Sequence, residues 1–493
     1  MVSGNDKTPG AIRGLREIYK RIAGFHGQHA FFMGKPLHCK GPEPIGILSS
    51  VPEYRDRLYL GGFGCGKTYI LDYTGLVLLA EQPDNMGLFI RKRFEQLRNT
   101  TLATFYDIVE EAGDGDKNAL IADTDESEGA IQLMIRTAGK PSKAIFRVEP
   151  DGTEASVRDS VKGYTLGFFG ADELTQLRKV TFDTLRTRLR REGVVTAGLA
   201  ASNPASHIHW VTQTAQLNER ELEQGLRPEI LVVRSRSFDN PYLRSDYVEQ
   251  LKRQYKDDPA GYDMYVLGKD GLEIQGKPVF RRDFNEVIHL DRALKFIPYD
   301  SPLYVGLDFG YHRPAAVWFQ RDQRDRYNVL AELCPSDLGV DAFADMIMAT
   351  NQRHFPFATT IRYFGDPAGA QVSDKGMTTI KQLAQRGITV NYRRAEVNDG
   401  IEKIRQLLQK NIDGRPRLIF HPRCRLLVEA MRGGYYYRER ADHSYTDKPY
   451  KDGNYDHVVD ALRYGVDNLV QVTNLGHLAL PEKAEGLKRI EVV

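Results

Sequence analysis

Leu58-Tyr59-Leu60-Gly61-Gly62-Phe63-Gly64-Cys65-Gly66-Lys67-Thr68 runs from an apolar strand into a helix, and from Gly61 to Thr68 it matches G-x-x-x-x-G-K-[ST] at every required position. Glycines let a backbone loop wrap an anion. The helix predicted from Thr68 to Ala80, stopping before Pro83, turns unpaired N–H groups and its dipole toward that anion. In such a loop Lys67 reaches the β- and γ-phosphates and Thr68 offers its hydroxyl to Mg2+. The bland alternative is a glycine-rich turn beside a surface lysine.

Working outward, Leu166-Gly167-Phe168-Phe169-Gly170-Ala171 runs into Asp172-Glu173. A buried strand ending in two carboxylates places Asp172 beside the loop to hold Mg2+ through water, and Glu173 where it can activate the attacking water. The same pair after an apolar run is also a common helix start. Ala200-Ala201-Ser202-Asn203-Pro204 closes another strand, so Ser202 and Asn203 are candidate sensors of hydrolysis, although Asn-Pro alone is a strong turn signal. Phosphoryl transfer also calls for a mobile cation. Arg158 is the candidate, with Arg91 behind it, against the plain reading of two solvated arginines.

A second constellation lies further on. Asp308 ends Leu303-Tyr304-Val305-Gly306-Leu307, Asp366 ends Ile361-Arg362-Tyr363-Phe364-Gly365, and Asp456, His457 and Asp460 fall in YDHVVDALRYGVDNLV. Spacing i, i+4 stacks Asp456 and Asp460 on one helix face. Acids on strand tips and a helix face suit hard divalent ions with oxygen ligands, and two such ions would serve phosphodiester cleavage. Taken singly, each aspartate reads as a turn residue or cap. Residues 177–192 hold six Lys/Arg, and 433–440 set three tyrosines against arginines. Such surfaces can follow a phosphate backbone, or be solvated faces.

The 493 residues allow about three folded units. With 41% hydrophobic and 27% charged residues, global disorder is excluded. No run of about 18 uncharged apolar residues occurs, and the N-terminus lacks a signal-peptide centre, so neither membrane spanning nor secretion is expected. Cys39, Cys65, Cys334 and Cys424 are scattered as free thiols of a reducing compartment would be. A formal charge of +2 means that any polyanion is held by local patches. The alternation of apolar runs and helical stretches predicts an α/β protein. Its expected parts are an N-terminal lead-in (1–50), an αβ core (51–215), a small polar subdomain and linker (216–296), a second αβ unit (297–472) and a tail (473–493).

GGFGCGKT, FFGADE, SNP, FDNPYL, LDFG, FGDPAG and DHVVDALRYG, in this order over about residues 55–470, resemble the large terminase subunits of tailed bacteriophages. The resemblance implies an ASCE-type (RecA-like) P-loop ATPase domain joined to a ribonuclease-H-like nuclease. It implies ATP-driven translocation of double-stranded DNA into procapsids, with endonucleolytic cuts that start and end packaging. ATP and Mg2+ are the implied cofactors, with Mn2+ able to substitute in the nuclease site. Implied partners are double-stranded DNA, a small terminase subunit, the portal protein and further copies in a ring. The implied place is the host cytoplasm, outside the mature virion. By position, Gly61–Thr68 bind nucleotide, with Thr68 on Mg2+; Asp172 supports the metal, Glu173 is the catalytic carboxylate, and Ser202–Asn203 resemble the coupling motif. Asp308, Asp366 and Asp460 match the acidic triad, with Asp456 and His457 where accessory ligands fall. Gly170 and Ala171 are smaller than the family's usual residues there, and VLGKDGLE lacks a tryptophan common in relatives. A helicase or recombination ATPase with an accessory nuclease, and a nucleotide-switched DNA scaffold, are the competing readings.

Overall fold

In this computed structural model, which describes residues 8–35, 52–127, 129–256, 258–272, 276–299, 301–310, 313–370, 377–394, 396–469, 471–472 and 478–479, the chain divides into two units, Met1–Leu272 and Glu273–Val493. Part of the expected lead-in (36–50) and most of the tail lie outside the described residues.

The strands of the first unit are β1 (Asp56–Gly61), β2 (Met86–Arg91), β3 (Ile121–Ser127), β4 (Ala130–Ile135), β5 (Ser142–Val148), β6 (Phe168–Asp172), β7 (Ala197–Ser202) and β8 (Ile230–Ser235). They form one sheet in the order β3-β4-β5-β2-β6-β7-β1-β8. β1 is parallel to both neighbours, β7 and β8, and β6 lies parallel beyond β7. One strand between the loop strand and the acidic strand is the order of an ASCE-type P-loop domain. Because these strands run the same way, Leu60 pairs with Ser202 and Asp172 with Ala201, and the three motifs arrive at the carboxyl edge together.

The strands are apolar on both faces because both are covered. Tyr59 and Phe89 join a core with helix α3 (Lys67–Ala80), whereas their neighbours Leu58, Leu60, Leu88 and Ile90 join another on the opposite face. The expected lead-in supplies part of the first core: α1 (Thr8–Ala23) and α2 (His26–Met33) bury Leu15, Ile18 and Phe31 there, and the Tyr73 hydroxyl donates to Leu15 O at 2.8 Å. β8 lies in the stretch read as a polar subdomain, yet it is a strand of this sheet. At the far margin β4 and β3 pair antiparallel, and β3 presents Asp123, Asp125 and Glu126 exposed.

In the second unit a short strand, β9 (Lys277–Pro278), precedes β10 (Leu303–Asp308), β11 (Ala315–Arg321), β12 (Tyr327–Leu333), β13 (Ile361–Gly365) and β14 (Val390–Tyr392). β10, β11 and β12 form an antiparallel meander, and β13 and β14 add parallel on the other side of β10. The strand Leu418–Phe420 extends the β12 side. The order β14-β13-β10-β11-β12 is ribonuclease-H-like. Helix Tyr455–Leu469 crosses β10 so closely that a Cβ on Gly306 would stand 1.9 Å from Ala461 O, so only glycine fits. Cys65, Cys334 and Cys424 are free thiols, and no helix among the described residues is long and apolar enough to cross a membrane.

Candidate functional site

β1 ends at Gly61 and α3 begins at Lys67, so the intervening loop must close in five residues. Its front half is pinned from outside: Gly62 N–H donates to Ser235 O (3.1 Å), Phe63 N–H donates to Tyr265 O (2.6 Å), and the Phe63 and Tyr265 rings stack at 4.6 Å. The rear half and the first turn of α3, whose N–H groups have no intrahelical acceptor, form the part able to face an anion. The buried Lys67 ammonium donates to Gly61 O (3.0 Å), Gly62 O (2.8 Å) and Asn203 Oδ1 (2.8 Å). Thr68 Oγ1 lies 3.2 Å from each Asp172 carboxylate oxygen. The loop's cation and hydroxyl thus reach the ends of β7 and β6.

Asp172 also accepts from Thr101 Oγ1 at 2.8 Å, and Arg91 Nε lies 3.2 Å from it. Arg91 Nη2 is 3.6 Å from the Glu173 carboxylate. Glu173 takes a left-handed backbone conformation (φ 53°), a strained one for a residue with a side chain. Burial, reinforced by the Asp172 charge and opposed by Lys67 and Arg91, pushes its carboxyl up. Ser202 Oγ pairs with Thr175 Oγ1 at 2.7 Å and so holds the turn after Glu173, while Asn203 touches Lys67. Thr68 hydroxyl and Asp172 carboxylate face each other as hard oxygen donors, a set that fits Mg2+.

The structure does not bring Arg158 to this site. It lies exposed on helix Glu154–Lys162, whose Val157 and Val161 face inward, and pairs with Glu154 at 2.8 Å. The arginine that meets the acids is Arg91, because β2 is the parallel neighbour of β6 and ends beside it. Three contributors escape the sequence reading. Gln28 Nε2 donates to Gly66 O (3.3 Å), Asn240 Nδ2 to Gly64 O (2.7 Å), and Thr101 sits on the π-helical turn Leu97–Leu102. Asn240 belongs to the quoted FDNPYL, but Gln28 and Thr101 are polar residues in helical stretches without a motif. In 177–192, Arg178, Lys179, Arg186 and Arg191 are paired with Glu149, Asp183, Asp56 and Asp84, so that segment is tied into the fold.

In the second unit, β10 delivers Asp308, the residue after β13 is Asp366, and the helix Tyr455–Leu469 carries Asp456, His457 and Asp460. Asp308 and His457 Nδ1 are 2.7 Å apart. Asp460 lies 3.1 Å from Arg463 and 3.4 Å from Lys451, and Asp366 accepts the Ala368 N–H at 2.9 Å. Burial pushes the Asp308 carboxyl up, with Asp460 and Asp366 acting in the same sense, so the three acids share one electrostatic neighbourhood. The bond to Asp308 raises His457, and burial, then Asp452, pushes Asp456 up to about 6. Among the described residues no three such side chains already converge as a ligand cage: mutual repulsion is met by giving each acid its own cationic or N–H partner. The donors are nonetheless oxygen-rich, Asp456 Oδ1 has no hydrogen-bond partner, and the Lys451 ammonium is favoured by Asp460, Asp308 and Asp456. That field suits hard divalent cations. Nearby, Tyr436–Tyr437 pairs with β9, and Arg438 lies over the Tyr450 ring at 5.3 Å.

Residues 54–269 match the family model of the phage terminase large subunit. A curated relative, the PBSX phage terminase large subunit of Bacillus subtilis (strain 168), is 24% identical over 294 residues. The alignment covers 56% of this chain and 63% of the relative, so the chain spans less than two thirds of the length of the curated relative it matches. Among solved structures, the large terminase from the thermophilic bacteriophage D6E is 18% identical, covering 90% of this chain and 98% of that one at a TM-score of 0.38. The HK97 bacteriophage large terminase is 13% identical, with coverages of 91% and 98% and a TM-score of 0.38.

Proposed function

We propose, from the match of residues 54–269 to the phage terminase large subunit model, that this chain is the ATP-driven subunit that translocates double-stranded viral DNA into a procapsid and cuts it. The observation that carries the ATPase part is the meeting of Lys67 with Asn203 and of Thr68 with Asp172 at one sheet edge. Lys67 would leave the loop carbonyls for the β- and γ-phosphates of ATP. Mg2+, when bound by Thr68 and Asp172, supplies charge neutralisation on those phosphates. Glu173 would accept a proton from the attacking water, and its raised affinity for protons suits that task. Arg91 must yield Asp172 and Glu173 for this to happen. Asn203, sharing Lys67 with the phosphate, would register its departure.

The second unit is assigned DNA cleavage with Asp308, Asp366 and Asp460 as carboxylates toward two divalent ions, Mg2+ or Mn2+, and His457 orienting Asp308. In that role the metals would activate water and stabilise the leaving oxygen. Family resemblance supports a small terminase subunit, the portal protein and a ring of copies as partners, working in the host cytoplasm.

Lys67→Ala in the full chain should cut ATP turnover at least about a hundredfold while leaving metal-dependent DNA cleavage intact. Asp366→Ala should do the reverse. Phosphate release by Lys67→Ala at the parental rate would remove the ATPase assignment, and undiminished cutting by Asp366→Ala would remove the nuclease one.

A further inference from the structure

Asp72 stands on α3 one turn beyond Thr68, hence on the same helix face and one turn deeper. It is 0% exposed, and neither carboxyl oxygen meets a hydrogen-bond donor. The rest of this helix interior is mostly apolar, so an aliphatic side chain would pack there without that penalty. Two ionisable groups act on Asp72: Asp172, which adds to the effect of burial, and Arg91, which opposes it. Arg91 is itself incompletely matched. Its Nε lies 3.2 Å from Asp172 yet is out of line for a hydrogen bond, while Nη1 donates to Gln96 O at 3.0 Å and to Thr100 Oγ1. An unmatched acid and an unmatched guanidinium donor therefore lie in the electrostatic neighbourhood of the carboxylate placed to support magnesium.

We propose that Asp72 is a positioning residue for ATP hydrolysis, the second seat of the Arg91 guanidinium once magnesium and nucleotide claim Asp172 and Glu173. The inference rests on the ATPase reading above. In the present arrangement Arg91 lies between Asp172 and Glu173, the two carboxylates that hydrolysis needs released. A guanidinium buried to 6% exposure is costly to leave without a partner, so its release is eased by another acid in its neighbourhood. Gln96 and Thr100 are neutral; Asp72 is an acid whose oxygens are otherwise unspent. A buried polar group that costs stability and has no partner in one arrangement is accounted for by a partner in the other.

The test uses the full chain carrying Asp72→Asn and, separately, Asp72→Leu, with thermal melts, ATP turnover and ADP affinity in magnesium. Expected are melting temperatures at or above the parental value, kcat lowered about tenfold or more, and KM and ADP affinity changed less than about threefold. In a cycle with Arg91→Gln, the two losses should be non-additive. Parental kcat in Asp72→Asn would overturn the proposal, as would strict additivity with Arg91→Gln. Equal losses in ADP affinity and kcat, or an Asp72→Asn protein that no longer folds, would overturn it too, since both indicate a structural role. Should Asp72→Leu alone fail to fold, Asp72→Asn decides. Lys67→Ala separates the two levels: its retained hydrolysis removes the ATPase reading, whereas its loss beside parental Asp72 variants removes this inference alone.

Discussion

Glu332, near the end of β12, accepts the N–H groups of Leu426 (2.7 Å) and Leu427 (2.9 Å), yet burial pushes its carboxyl up to about 7 from an ordinary 4.5. Between those two values the folded chain holds a proton that the unfolded chain has released, so stability of the second unit falls as pH rises, and the loss is complete above about 7. Glu332→Gln should flatten that slope in urea midpoints measured across the interval; an unchanged slope would mean that another group titrates. Residue-scale legibility was uneven for physical reasons. Lys67 and Thr68 are legible from the spacing of the loop motif, and Asp172, Glu173, Ser202 and Asn203 from apolar runs that end in polar residues, as strand ends beside such a loop would. The choice between Arg158 and Arg91 depends on which strand neighbours β6, which no local spacing reveals. Gly170 has a packing reason: a Cβ there would come within 2.9 Å of Phe89 and 3.0 Å of Leu71.

At the scale of elements, β8 shows how a strand hides. Its apolar core is a few residues long within a charged stretch, and it becomes a strand because β1 offers an open parallel edge. Its Arg234 is gripped by Glu219 (2.5 Å) and Asp270 (2.9 Å). Gln216 Nε2 ties Asp270 (3.0 Å) to His207 (2.9 Å), so the segment that follows Asn203 is fastened to the last residues of the unit. Arg234→Met leaves two acids facing each other and, because the cluster is partly solvated, should cost about 2 kcal/mol in denaturant unfolding. A change below about 0.5 kcal/mol would show the cluster to be ornamental. Strands β10 and β13 were readable because each is a mainly apolar run that ends in an aspartate and a turn, at Asp308 and at Asp366-Pro367. α2 was not, since HGQHAFFM lies among glycines and lacks a charged face, and only its burial against α3 makes it a helix of the core.

For the molecule as a whole, the separate chemistries proposed for the two units make a thermodynamic prediction. Mg-ADP at a hundredfold excess over its Kd should add about 2.7 kcal/mol to the unit holding the phosphate loop, read as an upward shift of its calorimetric endotherm. The same shift should persist in Asp366→Ala and vanish in Lys67→Ala; no shift in the parental chain would take the nucleotide away from this unit. The near-neutral charge, +2 over the whole sequence, leaves little general repulsion to keep concentrated copies apart. That duty falls to particular places, and the row of acids along β3 is one of them. Two such margins brought side by side would set carboxylate against carboxylate, so this open backbone ladder makes a poor template for the runaway stacking that ends in fibrils.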